Sequence, residues 1–372
     1  MVSRREWTKM SLAAAFAAAG VRQALAQAGT PPAPRIESRS LDDLHKAALA
    51  EGGRLIVYGG GDLPNGAAGL EAAFMKRFPG MKIRILIDRS KYQGVRIDNQ
   101  LARGRLLPDA VHILAHNYYD RWKTEGQLMA YKPAGWDQVY PGFNDPEGCW
   151  TAVFIFAFST YVNTTLLAEA AAPRDAIDFL DPTLKGKIAL TYPHDDDSIL
   201  YQFDRIIAKH GWSWMDRLMA QDVLWVRGSG INRQLIDKGA RAVSFNTSGA
   251  LVQTADAKTR FLLPRNDSFL AWAHPASIFS KARHPEAAKL YLNWLLSPER
   301  QGGGNAWSVR RDMPPPKGYG PITEYNTSPV AFRESLRDRA RLEQVRDQLE
   351  QIIGPMTGPN PTGVVGVFPE AS

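Results

Sequence analysis

Apolar positions recur in two alternating periods from residue 41 onward. Leu41, Leu44 and Ala48 share one face of a helix over 41–51, with Ser40 as its N-cap and Gly52-Gly53 as its stop. A β-rich run at 54–58 ends in Gly59-Gly60-Gly61-Asp62. Leu70, Phe74 and Phe78 are spaced every four residues, which predicts a helix ended by Pro79-Gly80. Residues 82–88 read as a strand and 95–103 as a helix with Ile97 and Leu101 inward. A third strand follows at 110–114, then a helix at 118–125. Strands alternating with helices predict an α/β fold, a parallel sheet with helices on its faces.

The pattern changes at 151–162, an apolar run carrying Phe154, Phe156, Phe158 and Tyr161. It is too short to span a bilayer and rich in β-formers, so it reads as a buried strand. Residues 164–172 read as a helix, 181–187 as a turn and 188–191 as a strand leading into Tyr192-Pro193-His194-Asp195-Asp196-Asp197-Ser198. Beyond this acid run, Ile199, Phe203, Ile206 and Ile207 fall on one helical face. Strands at 223–226 and 242–245 enclose Gly228-Ser229-Gly230 and a helix to Lys238, completing a second α/β unit. Residues 268–280 form another long β-type run. Pro285 opens a helix through Tyr291, Trp294 and Leu295. A Pro-rich loop follows at 311–316. Residues 330–353 are amphipathic, with Leu336, Val345, Leu349 and Ile352 inward, and the Gly/Pro-rich tail from 354 is either docked or loose.

A chain of 372 residues with 44% hydrophobic and 22% charged residues is long enough for two cores. The formal charge is +7, of which residues 1–28 carry +3 and the remainder +4. No dense Lys/Arg run points to nucleic acid. The single Cys149 excludes an internal disulfide and reads as a small buried hydrophobe. Residues 1–28 read as a signal peptide: a basic start, an Ala-rich apolar stretch, and Ala26-Gln27-Ala28 at the cleavage position. Ser3-Arg4-Arg5-Glu6-Trp7 is similar to a twin-arginine export signal, with an ordinary secretory peptide as the alternative. Export from a bacterial cytoplasm is expected either way.

Two segments carry a resemblance. One is Asp178-Phe179-Leu180-Asp181-Pro182 with Lys185-Gly186-Lys187-Ile188-Ala189-Leu190. The other runs from His284-Pro285-Glu286-Ala287-Ala288 through Tyr291-Leu292-Asn293-Trp294-Leu295 to Ser297-Pro298-Glu299. With them the chain resembles extracytoplasmic solute-binding proteins of ABC importers, in the group of ferric-iron, thiamine and phosphonate binders. The resemblance implies a two-lobed periplasmic-binding-protein fold, each lobe a mostly parallel sheet flanked by helices. Residues 29–152 with 280–372 would form lobe 1 and 163–267 lobe 2, with 153–162 and 268–279 as hinge strands. It also implies a monomer that closes on a small molecule or ion, an ABC permease as partner, and no resident cofactor. A metal ion enters only as a transported ligand.

In open α/β sheets ligands sit beyond the carboxyl ends of the strands. The residues there are Gly61 and Asp62, Ser90 and Tyr92, and Asn117 in the first unit. In the second they are Tyr192, Asp195 and Asp196, Ser229, and Asn246 and Thr247, with Trp272 and His274 on the return run. Asp197 is expected to cap the following helix. His45, His112 and His284 read as surface or helix-start residues. The iron binders of the family ligate through adjacent tyrosines late in the second lobe. This chain has Val243-Ser244-Phe245-Asn246-Thr247-Ser248 at that position and Tyr118-Tyr119 in the first unit. The ligand therefore stays open between a metal such as ferric iron and a small organic solute. The acids favour a cationic solute, because a carboxylate repels an anion. The alternative class is a secreted metal-dependent enzyme using Asp195–Asp197. Against it, adjacent residues point apart, and neither the paired histidines of a zinc protease nor a nucleophile elbow is present.

Overall fold

The computed structural model describes residues 34–369. The signal-peptide reading of residues 1–28 lies outside them.

The expected strand–helix alternation forms one mixed sheet with helices around it. Strands β1 (Arg54–Gly60), β2 (Lys82–Asp88) and β3 (Ala110–His112) pair in parallel. Helices α1 (Leu41–Ala50), α2 (Ala68–Arg77), α3 (Ser90–Ala102) and α4 (His116–Thr124) alternate with them. The two long β-type runs become β4 (Thr151–Asn163) and β9 (Leu270–Ile278), which lie side by side in the middle of the sheet. Between them lie β5 (Ala189–Thr191), β6 (Leu224–Val226), β7 (Val243–Thr247) and β8 (Thr259–Leu262). Helices α5 (Asp197–His210), α6 (Ser213–Met219) and α7 (Ser229–Asp237) accompany these strands. Four more close the chain: α8 (Pro285–Leu296), α9 (Pro298–Gln301), α10 (Pro329–Ser335) and α11 (Arg339–Ile353).

The sheet runs in the order β2-β1-β3-β9-β4-β7, with β8 beside β4, and β5 and β6 pair separately. Parallel pairing holds for β1–β3 and for β5–β6, whereas every pairing of β9 and β4 is antiparallel. β4 meets β9 through Thr151–Phe158 and then β7 and β8 through its last residues. The two long strands thus join the β1–β3 side to the β5–β7 side. Among the described residues no helix is long and apolar enough to cross a membrane.

Packing follows the sequence pattern in most places. Phe74 and Phe78 of α2 pack edge-on to Trp294 of α8, at 5.3 and 6.3 Å between ring centres. On the other side Ile199 and Phe203 meet Trp214 and Phe245, with Leu342, Val345 and Leu349 of α11 over them. Four expectations change. Residues 164–172 are turns with only a short 3-10 segment, because the Asn163 side chain accepts from Thr165 N and Oγ1 and holds an Asx turn there. The 330–353 stretch is two helices, each with its own cap, Ser328 and Asp338, and Ile352 is exposed. β8 and α6 lacked a clear period and were not expected. The helix expected at 95–103 begins earlier, at Ser90, because the Arg89 carbonyl already accepts from Tyr92 and Gln93.

The tail is docked at several points between Thr357 and Phe368. Thr357 Oγ1 lies 3.1 Å from the Tyr192 hydroxyl on the β5–β7 side. Thr362 Oγ1 donates to Asp88 at 2.5 Å on the β1–β3 side. Arg96 of α3 donates to the carbonyls of Gly366 and Val365, and Gln100 to that of Val367. The segment is a strap joined to both sides.

Candidate functional site

The site is built on the β4–β9 pair. Successive strand residues face opposite ways, so Phe154, Phe156 and Phe158 share one face. The register sets Phe154 opposite His274 and Phe156 opposite Trp272. The Phe156 ring lies 5.3 Å from Trp272, and 5.3 Å from His274 edge-on. The Trp272 indole donates to His274 Nδ1 at 3.1 Å. That bond leaves the proton on Nε2. His112, at the end of β3, is buried beside it with its Nε2 3.2 Å from the Tyr291 hydroxyl. Burial pushes both imidazoles down, His112 to about 3 and His274 to about 4, so both are uncharged at neutral pH. His112 is therefore not the surface residue the sequence implied. Above this floor lies a cavity of about 480 Å³.

Its first wall comes from the β1–β3 side. A Cβ on Gly60 would meet Ser90 Oγ, so only glycine lets that hydroxyl reach Leu114 N, from which it accepts at 3.0 Å. Asp62 Oδ2 accepts from both the backbone N and the Oγ of Ser229, each at 2.7 Å. It thereby caps the N-terminus of α7 from the opposite side of the cavity. Arg89, just before α3, donates to the Asp195 carboxylate at 2.5 Å and to the Asp195 carbonyl at 2.9 Å.

The acid run divides its work among three places. Asp195 is fully buried and pairs with Arg89, Lys91 and Arg227. Burial acts to raise its carboxyl, but the Arg227 hydrogen bond and the charges of Arg89 and Lys91 outweigh it and hold the group below the usual range. Asp196, not Asp197, is the N-cap of α5, accepting from Ser198 N at 2.8 Å and Ile199 N at 3.4 Å. Lost hydration and the nearby Asp62 push its carboxyl up. Asp197 is the first residue of α5 and bonds Arg339 at 2.8 Å and Arg346 at 2.5 Å.

Of the positions expected at the site, Gly61, Asp62, Ser90, Asp195, Asp196, Ser229, Trp272 and His274 line the cavity. The others do not. Tyr92 is exposed and bonds Arg227 beside the Asp195 cluster. Asn117 sits on α4 outside the lining. Tyr192 is buried against Trp225 and covered by Thr357. Asn246 points back from β7 to clamp the Thr191 backbone, accepting its N–H and donating to its carbonyl at 3.1 Å each. Thr247 bonds the Ser229 carbonyl at 2.8 Å. Missed were Arg89 and Lys91, the phenylalanines of β4, His112 and Arg300. The alternation Phe154-x-Phe156-x-Phe158 was a usable signal for a one-sided strand.

The family model described as bacterial extracellular solute-binding protein matches residues 107–308. No curated protein matches the sequence. Solved structures are similar over most of the chain. Iron-bound HitA from Pseudomonas aeruginosa is 16% identical with a TM-score of 0.61, over 80% of this chain and 99% of that one. AfuA from Actinobacillus pleuropneumoniae, with exogenous fructose-6-phosphate bound, is 17% identical with a TM-score of 0.62, over 81% and 98%. The ferric binding protein from Campylobacter jejuni is 14% identical with a TM-score of 0.58, over 79% and 99%. Likeness at these identities speaks to the fold alone.

Proposed function

Because this chain belongs to the bacterial extracellular solute-binding proteins, we propose that it is exported, captures a small organic solute in the cavity over Phe156 and Trp272, and delivers it to an inner-membrane ABC permease. The observation that carries the organic reading is the floor itself. Three phenylalanines, an indole and two uncharged imidazoles surround one space. Such a surface gains by burying a flat apolar body and needs few polar groups to orient it.

The acids once expected to meet a cationic solute are already engaged. Asp62 caps α7, Asp195 and Asp197 are paired with arginines, and Asp196 caps α5. An organic cation would have to share these carboxylates with the groups that already hold them. HitA was solved with iron bound and the Campylobacter protein is a ferric binding protein by name, which supports an iron reading. Here, however, Tyr119 is buried with its hydroxyl donating to Pro275 O, and burial pushes both Tyr118 and Tyr119 away from the phenolate form. Among the described residues no three His, Cys, Asp or Glu side chains converge so as to hold a metal ion. The same dispersal weighs against a metal-dependent enzyme built on the acid run.

Capture proceeds by closure of two lobes, one carrying β1–β3 and one carrying β5–β7. The Asp62–Ser229 and Arg89–Asp195 contacts are the ones that part on opening, and a ligand touching both sides favours the closed population. Native mass spectrometry of the exported chain, with metal analysis and small-angle scattering, tests this. One organic molecule per chain, released unchanged, and a smaller radius of gyration with it bound are expected. Stoichiometric metal without an organic molecule, or identical dimensions in both states, would sink the reading.

A further inference from the structure

Among the cations on the cavity lining, one has no counter-charge, and it is exposed to solvent. The carboxylates on its lining are Asp62, Asp195, Asp196 and Asp197, and each is held by cations or by a helix N-terminus. Two of the three cations on the lining, Arg89 and Lys91, are paired with Asp195. The third is Arg300. Among the described residues no carboxylate lies within ion-pair distance of it, and its guanidinium rests 4.7 Å from the Trp294 ring centre. The neighbouring acid, Glu299, is turned to Arg77 at 3.3 Å.

Arg300 also stands at a junction. A second cavity of about 500 Å³ adjoins the first, and Phe154, Phe156, Ser248 and Arg300 line both. A flat body on Phe156 and Trp272 would thus meet a planar cation where the two spaces join. A guanidinium presents a flat fork of donors that matches a carboxylate with two parallel hydrogen bonds. A doubly charged group such as a phosphate monoester would have only this one unmatched cation while facing Asp62 and Asp196 on the cavity lining.

Resting on the solute-capture reading above, we propose that the ligand is an aromatic monocarboxylate, its ring on Phe156 and Trp272 and its carboxylate on Arg300. Substituents on the ring extend past Phe156 into the second cavity.

The test uses the whole exported chain with benzoate and indole-3-carboxylate, each against its own amide, by isothermal titration. The carboxylates should bind at least ten-fold more tightly than the matching amides. Arg300→Gln should erase that gap and leave the amide affinity in place, with Arg300→Lys in between, while Phe156→Ala weakens acid and amide alike. Equal binding of acid and amide by the unaltered chain overturns the proposal, as does a gap that survives Arg300→Gln or a failure of all four compounds to bind. If a co-purified organic solute stays bound in Arg300→Gln and is lost in Phe156→Ala, capture in this cavity stands and the carboxylate assignment falls. Loss in neither variant removes both.

Discussion

Arg89 and Asp195 stand 106 residues apart and meet with Nη1 and Oδ2 separated by 2.5 Å, their side chains 3% and 0% exposed. Each lies just before a helix, Arg89 before α3 and Asp195 before α5. Their contact holds two helix starts together across one edge of the cavity. Asp62 does the same for α7 at another edge.

Asp195→Asn keeps the shape and removes the carboxylate shared by Arg89, Lys91 and Arg227, leaving buried Arg89 only Asp196, at 3.8 Å. Breaking one side of a buried pair costs about 3–5 kcal/mol, so the urea midpoint should fall clearly. Arg89→Met combined with Asp195→Leu should recover only part of that loss, because Lys91 and Arg227 still lose their partner. An unchanged midpoint in Asp195→Asn would mean that Asp196, 3.8 Å from Arg89, is counter-charge enough for it.

Much of this was legible along the chain, and the limits have physical causes. The helices of Phe74 and Phe203 and the strand of Phe154 follow from period alone. Strand ends located Asp62, Ser90 and Ser229 at the cavity because the rule depends only on sheet direction. The same rule failed at Asn246, where one step along β7 turns the side chain toward β5 and away from the cavity. It failed at Tyr192 because the strap, more than 160 residues later, covers that ring. Arg89–Asp195 could not be read, since nothing local to either residue marks the other as its partner. Within the acid run, the cap shifted by one position to Asp196.

Phe156 and Phe158 share a face but differ in exposure, 38% against 5%. Phe158→Ala should empty core volume and cost about 3–5 kcal/mol. Phe156→Ala removes a ring that is 38% exposed, so it should cost less stability than Phe158→Ala and lower affinity for the co-purified solute by ten-fold or more. Urea melts beside native mass spectrometry separate the two effects. A Phe156→Ala protein that retains solute fully would contradict the assigned floor.

Asp196 is a test of capping against charge. Asp196→Ala should cost about 1 kcal/mol, the usual loss of an N-cap. Asp196→Asn keeps an acceptor for Ser198 N and removes the negative charge facing Asp62. The raised Asp196 carboxyl means the folded chain disfavours its charged form at neutral pH. The asparagine variant should therefore match or exceed the parent in urea midpoint at pH 7. A loss as large as that of alanine would assign the residue to charge pairing with Arg89.

Four buried histidines, His112, His116, His194 and His274, are held below the ordinary imidazole value and set the acid side of stability. Burial pushes His112 and His116 down to about 3 and His274 to about 4, each from an unfolded value near 6.5. Below pH 6.5 the unfolded chain takes up protons that the folded chain refuses. Stability is complete above that pH and declines as pH falls toward 4, by up to about 1.4 kcal/mol per unit for each ring. The depressed Asp195 and Asp197 carboxyls act lower, below the unfolded carboxylate value of 3.8. Urea midpoints from pH 8 to 5 should fall steeply below 6.5, and His116→Gln should remove only its own part of the slope. A flat profile would mean that the rings are charged in the fold.

The strap gives the last test, because it joins the two sides by means separate from the cavity. Removing residues 356–372 frees Tyr192 from Thr357, Asp88 from Thr362, and Arg96 and Gln100 from three backbone carbonyls. It also removes the Phe368 ring from the guanidiniums of Arg103 and Arg105. Water replaces the lost partners, so each hydrogen bond contributes only about 0.5–1.5 kcal/mol, more for those to charged groups. The truncated chain should fold with a lower melting temperature and faster amide exchange at the start of α3. Thr362→Val, which deletes only the bond to Asp88, should show a fraction of that change. Wild-type exchange in α3 after truncation would mean that the helix is held by Asp88–Arg96, at 2.5 Å, without help from the tail.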